Sequence, residues 1–256
     1  MDLHGFRQRG GTRMTWGTAP KSSALITTYV GVTTANWTVA LSSVTPGNIL
    51  VVYLLNTSGN ANLPNLTTSG SPLTNPNGNL LAWSYRPSSF AVAIMAVPIT
   101  VGMNQFNVTW GVGSGALQSG YVYYEEWAGG PQGVTGPNFN NSYLVDVGAT
   151  ASSTASVTGS PGPMDTSTRN DLVLGICCQA TNNGGIAATG VSGWTGTPTA
   201  GTVSFFGNLG STFAGLSTSA TTYQPSLNWT SSKAWASAAV SLKYGHQQDF
   251  FSALFT

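Results

Sequence analysis

The sequence predicts an all-β fold: a jelly-roll-like antiparallel β-sandwich with an extended N-terminal arm and a short C-terminal tail. Three observations carry this. Only 6% of the 256 residues are Asp, Glu, Lys or Arg, against ~25% in an ordinary soluble domain. Short apolar runs recur along the chain, punctuated by Gly, Pro, Asn and Ser, with 32 glycines and 13 prolines in all. Between these runs no segment of roughly 10–15 residues carries a helical period, so nothing argues for crossover helices. Hydrophobic residues make up 41%, with 8 Trp, 9 Tyr and 10 Phe. A disordered chain is poor in aromatics and rich in charge, so this one has a packed core.

Residues 1–23 hold Arg7, Arg9, Arg13 and Lys21, half of the 8 basic residues, with Gly5, Gly10, Gly11 and Gly17 between them. No period of 2 or 3.6 persists there, so the segment reads as an extended basic arm. Phe6, Met14 and Trp16 would anchor it on a neighbouring subunit, while Arg7, Arg9 and Arg13 add charge-assisted hydrogen bonds.

Residues 24–244 read as the sandwich. Strands are expected at 25–30, 37–41, 48–55, 80–85, 91–97, 105–110 and 120–127. They continue at 143–147, 153–157, 171–179, 202–206, 213–217, 226–229 and 235–244. Turn dipeptides such as Pro46-Gly47, Asn77-Gly78 and Gly129-Gly130 separate them. A weak internal echo runs through this region. The stretch 47–55 resembles 170–178, 107–110 resembles 227–230, and 120–127 resembles 237–244, in the same order at an offset of about 120 residues. Two related half-sheets in one sandwich, about 24–130 and 143–244, fit this, as do two tandem sandwiches. The first half has no obvious linker before the second, which favours one domain. In the tail, 245–256, Phe250, Phe251, Leu254 and Phe255 would share one face of a short helix. That face either folds back on the sandwich or anchors on a neighbouring subunit.

The net charge is +1, so no global field recruits nucleic acid or an anionic membrane. The apolar runs are far shorter than the ~20 residues that span a bilayer, so membrane insertion is not expected. The first residues carry no apolar core followed by a small-residue cleavage site, unlike a secretory signal. Synthesis in a cytoplasm is therefore expected. Cys177 and Cys178 are adjacent, and neighbours on a strand point to opposite faces, so both are expected as free, buried thiols.

Ionisable chemistry is scarce. Glycoside hydrolysis usually needs two carboxyls converging on one bond. The only Glu residues, Glu125 and Glu126, are strand neighbours and face opposite ways. One is expected to be solvated, and the other partnered by a backbone donor or by an Arg such as Arg86. Asp146, Asp165 and Asp171 are isolated, and His4 and His246 lie in the arm and the tail. No catalytic residue, cofactor site or metal cluster is expected, although a calcium held by backbone carbonyls would leave no sequence mark. Trp83, Trp110, Trp127, Trp194, Trp229 and Trp235 lie on or beside strands and are mostly core; a few could stack on sugar rings. Asn-x-Ser/Thr triplets begin at Asn36, Asn56, Asn65, Asn107, Asn140 and Asn228. In a chain so rich in these residues they read as chance matches to a glycosylation signal.

The segments PGNILVVYLLN, NQFNVTWG, GYVYYEEWAGG, LVDVGATASSTASVTG, RNDLVLGICC, SGWTG and WASAAVSLKYG occur in this order. Together they resemble a β-sandwich module of bacteriophage virion proteins and large bacterial surface proteins, over about 200 residues. The resemblance implies a jelly-roll-like sandwich and brings no catalytic residues with it. The bacterial examples sit inside long secreted chains, whereas this chain is expected to be free-standing, with an arm and a tail. A virion structural protein is therefore expected, a decoration protein on the capsid exterior or a tail-associated sandwich. It would contact capsid or tail subunits and copies of itself. The alternative is a carbohydrate- or surface-binding adhesion module that takes a host-surface glycan. A glycan-active enzyme comes third.

Overall fold

The computed structural model describes residues 16–17, 21–28, 34–56, 63–68, 80–86, 90–99, 101–111, 120–129, 145–166, 171–179, 193–195, 199–205, 210–218 and 222–243. Among these residues there is no helix, and every strand pairing is antiparallel. The protein is an all-β sandwich.

The first half contributes β1 (Ser22–Thr28), β2 (Thr34–Ala40), β3 (Ile49–Asn56), β4 (Asn65–Thr68), β5 (Leu80–Arg86), β6 (Phe90–Pro98), β7 (Gln105–Gly111) and β8 (Gly120–Trp127). Five of them form a sheet in the order β1-β8-β3-β6-β5, and three form a second sheet, β2-β7-β4. The second half contributes β9 (Val145–Gly159), β10 (Met164–Asp165), β11 (Leu172–Gln179), β12 (Gly193–Thr195), β13 (Thr199–Phe205), β14 (Gly210–Leu216) and β15 (Thr222–Leu242). β15 has 21 residues and does two jobs. Its C-terminal part, from Trp235 to Leu242, pairs with β11 and β9, while its N-terminal part pairs with β10 and β12 and, at Leu227 and Asn228, with the end of β9.

Splitting β15 at its exposed corner, Ser231 and Ser232, brings the two halves into correspondence. The large sheet of the second half runs β9-β15-β11-β14-β13, which matches β1-β8-β3-β6-β5 strand for strand. The small set β10-β15-β12 matches β2-β7-β4. The three sequence echoes fall on β3 and β11, β7 and the first part of β15, and β8 and its last part.

The two large sheets face each other. Ile49, Val51, Tyr53, Val92, Ile94 and Trp127 of one pack against Leu172, Leu174, Ile176, Ala238 and Val240 of the other. Each large sheet is also covered on its outer face. Leu50, Val52, Leu54, Ala93, Met95 and Tyr124 pack against Val39, Leu66, Phe106, Val108 and Trp110 of β2, β4 and β7. In the second half, Pro225 of β15 lies over Gly175, where an added Cβ would come within 2.8 Å of the Pro225 Cγ. The central strands β3 and β11 are consequently buried at all eight positions.

Several sequence expectations need correction. The strands expected at 143–147 and 153–157 are one continuous β9, and those at 226–229 and 235–244 are one β15. Ser and Thr in 150–156 and 230–232 read as turn punctuation, but small hydroxyl side chains also tolerate extended backbone at a corner. Strands β4, β10 and β12 escape the sequence reading because they have four, two and three residues. There are three sheets where a simple sandwich has two. β1 opens at Ser22, inside the expected arm.

Candidate functional site

The outer face of the sheet β2-β7-β4 carries a regular array of polar groups. Val39, Leu66, Phe106, Val108 and Trp110 point into the core. Their neighbours Thr38, Thr67 and Thr109 are exposed, while Asn65 and Asn107 are half-buried. The ladders set Thr38 opposite Asn107 and Asn107 opposite Thr67. In the next row Thr109 stands between the register positions of Asn36 and Asn65. Three of the Asn-x-Thr triplets, read as chance from sequence, therefore lie in register on three adjacent strands. Amide and hydroxyl positions alternate in two rows, because antiparallel pairing reverses the triplet from strand to strand.

The corresponding face of the second half uses its polar groups internally. Thr158 Oγ1 donates to Asn228 Oδ1 at 2.7 Å, and Gln224 Nε2 donates to Ser160 Oγ at 2.8 Å. Thr222 Oγ1 donates to Asp165. Among the described residues, the side chains of Thr38, Thr67, Asn107 and Thr109 make no such bond. The Oδ1 of Asn65 is buried and likewise without a partner there.

Glu125 and Glu126 do occupy opposite faces of β8, but neither is solvated, which corrects the expectation that one would be. Glu125 sits between the large sheets. Its carboxylate accepts from Trp127 Nε1 at 2.9 Å, Tyr123 Oη at 3.2 Å and Tyr53 Oη at 3.3 Å. Burial, then the Glu125 charge and Tyr123, push the Tyr53 phenol well above its ordinary range. Glu126 points to the other side, where it accepts from the Thr45 backbone N–H at 3.0 Å and from Asn48 Nδ2. The Arg86 side chain lies outside the described residues.

A shallow groove of about 360 Å³ runs between the sheet-edge strands β5 and β9, lined by Leu80, Leu81, Ala82, Trp83, Gly148, Ala149 and Thr150. Trp83 stacks on Tyr85 with ring centroids 4.9 Å apart, and Ser84 Oγ donates to the Ala151 carbonyl at 2.9 Å, tying β5 to β9. The other Trp residues with described side chains, Trp16, Trp110, Trp127, Trp229 and Trp235, are core.

No protein-family model matches this sequence, and no curated protein is significantly similar to it.

Of the residues assigned to the arm, Trp16 is in the described part and corrects its assignment. It is buried in the core between the large sheets, so its indole is committed to its own chain. The Gly17 N–H donates to the Ala128 carbonyl at 2.9 Å and the Lys21 N–H to the Glu126 carbonyl at 2.7 Å, which places both residues beside the end of β8. Phe6, Arg7, Arg9, Arg13 and Met14 lie outside the described residues, as do Phe250, Phe251, Leu254 and Phe255 of the tail. His4 and His246 lie outside them too. Cys177 and Cys178 are free, buried thiols, as expected. Burial pushes Cys177 up to about 12, partly offset by its contact with Ser237, and Cys178 well above its ordinary value. Both are poor nucleophiles at neutral pH. Among the described residues no three His, Cys, Asp or Glu side chains gather around a metal position, and no helix is long and apolar enough to cross a membrane. Sequence reasoning missed the Asn/Thr array, although its signal was present as three Asn-x-Thr triplets on segments that alternate polar with apolar.

Proposed function

We propose that this protein is a structural component of a bacteriophage particle, either a decoration protein on the capsid exterior or a tail-associated sandwich, and that it acts by docking rather than by catalysis. The observation that carries this reading is where the charge goes. Both Glu side chains and Asp171 are buried, while the described outer strands present mainly Thr, Asn, Gln and Ser, with Asp165 exposed on β10. A surface of this kind lets many copies pack side by side without like-charge repulsion, and high copy number turns weak contacts into stable attachment. The strand order supports the same family of folds. β1-β8-β3-β6 and β2-β7-β4 agree with a jelly-roll order, while β5 departs from it by pairing with β6 on the large sheet instead of with β4, and the second half repeats this arrangement.

The test is reconstitution. Particles made without this protein are mixed with the purified chain and sedimented, and bound protein is located by electron microscopy. Ordered occupancy at symmetry-related positions is expected. Absence of binding at saturating protein would remove the reading. A second reading, a glycan-binding adhesion module, is favoured by the amide and hydroxyl array on β2, β7 and β4, whose Thr38, Thr67, Asn107 and Thr109 side chains make no hydrogen bond among the described residues.

A further inference from the structure

We infer that the outer face of β2-β7-β4 is a binding site for a neutral polyhydroxylated chain, an uncharged glycan, held by Thr38, Asn65, Thr67, Asn107 and Thr109. The inference rests on the second reading above and gives it a location and a ligand class.

Four observations lead to it. First, the array is regular. Directly opposed side chains on antiparallel strands stand ~4.5–5.5 Å apart, and i, i+2 neighbours about 7 Å apart. Thr hydroxyls and Asn amides each offer both a donor and an acceptor. Alternating them along and across the sheet makes a lattice of paired donors and acceptors, the pattern that sugar hydroxyls complement.

Second, the groups are unspent. The second half shares the same strand order, yet there Thr158, Ser160, Asp165, Thr222, Gln224 and Asn228 satisfy one another. If the polar face served only to solvate an outer sheet, the two halves would not need to differ. In the first half the hydroxyls of Thr38, Thr67 and Thr109 and the amide of Asn107 make no hydrogen bond among the described residues.

Third, the sheet is neutral. The segments TANWTVA, NLTT and QFNVTWG contain no Asp, Glu, Lys or Arg. An anionic glycan, a nucleic acid or an acidic peptide would find no cation here.

Fourth, the face is small. Strands ~4.8 Å apart with ~3.4 Å per residue give three short strands a face of roughly 300 Å². A stable protein partner takes about 800 Å² per side. The face therefore suits a few sugar units better than a second copy of the chain.

The test uses the full chain and two variants, T38V/T67V/T109V and N107A. Valine keeps the shape and strand preference of Thr and removes only the hydroxyl. Each protein is run by affinity electrophoresis through gels containing a neutral polysaccharide (dextran, galactan or mannan) or anionic alginate. Thermal melting checks the fold, sedimentation the oligomeric state, and particle reconstitution the docking. The wild type is expected to be retarded in at least one neutral gel, insensitively to salt. The triple variant should bind at least tenfold more weakly at an unchanged melting temperature and still enter particles. If the triple variant does not fold, N107A carries the comparison, with a loss of at least threefold. No retardation in any neutral gel overturns the inference, as does retardation confined to alginate and abolished by salt. Self-association lost in the variant would reassign the face to a second copy. Loss of particle entry with no glycan effect would overturn the inference while supporting the docking reading.

Discussion

Trp16 shows how one side chain moves a boundary. Basic residues and glycines make 1–23 look uniform, and nothing in the period separates Trp16 from Phe6 or Met14. Its burial depends on a core assembled from strands of both large sheets, and its neighbour Gly17 is held at Ala128, more than a hundred residues away, which local sequence cannot reveal. Trp16→Ala should lower stability by ~3–5 kcal/mol, as large aromatic truncations in a core do, measured by urea denaturation. A loss below about 1 kcal/mol would mean that the indole is not a core anchor. The two thiols give a pH prediction. Both are raised in the folded state, Cys177 to about 12 from an ordinary 9.0. The folded protein therefore holds protons that the unfolded chain releases, and this contribution is fully present below pH 9 and lost as pH rises towards 12. Buried Tyr53, raised from 10.0, adds to the loss above pH 10. Stability should decline above pH 9 by roughly 1.4 kcal/mol per pH unit for each thiol. The C177A/C178A variant should decline less steeply between pH 9 and 10, and equal slopes for the two proteins would exclude the thiols as the cause.

At the scale of elements, most strands were legible because short apolar runs end at Gly, Pro or Asn. β8 begins and ends where the sequence places it, and β3, β6 and β7 shift by a residue or so at their ends. Two things were not legible. Strands of two to four residues carry too few side chains to show a period, so β4, β10 and β12 were missed. Continuity across a polar corner was also hidden, so β9 and β15 were cut in two. One available signal went unused. The unbroken apolar runs of 49–55 and 172–178 cannot alternate between core and water, and so require cover on both faces. Two sheets facing each other supply only one cover, and the outer strands supply the other. The candidate site was half legible: its Asn-x-Thr triplets were visible, but their register is a property of pairing and not of any one segment. In the second half the cover depends on a close approach at Gly175. Gly175→Ala would set a methyl within 2.8 Å of the Pro225 ring and should destabilise the protein by ~1–3 kcal/mol, as overpacking does. Hydrogen exchange should show the loss concentrated in β10, β12 and the first part of β15. Uniform loosening of the whole chain would instead mean that this layer and the sheet beneath it unfold as one unit.

At the scale of the whole molecule, the repeat and the shared core between the large sheets divide labour between body and extensions. Among the described residues the body is closed: Glu125, Glu126 and Asp165 accept hydrogen bonds, and the apolar faces of the large sheets are covered. The proposed docking therefore falls to the chain ends and the outer faces, and among these the arm concentrates half of the basic residues. Fixing an extended segment costs ~1–2 kcal/mol per residue in backbone entropy, so an arm would order only where a neighbour's contacts offset that cost. Trp16 fixes where such an arm can begin. Removing residues 2–20 would take the indole with it, and a failure to bind particles would then be confounded with a damaged core. Removing residues 2–13 deletes Phe6, Arg7, Arg9 and Arg13 and leaves Trp16, Gly17 and Lys21 against β8. The shortened protein should melt within about 2 °C of the full chain, because a change well under 1 kcal/mol shifts a domain of this size by no more than that. It should also fail to enter particles that accept the full chain. Full occupancy by the shortened protein would move the docking role to Phe250, Phe251, Leu254 and Phe255 of the tail. A fall in melting temperature as large as that of Trp16→Ala would show that the first thirteen residues also belong to the body, and that no free arm exists to dock.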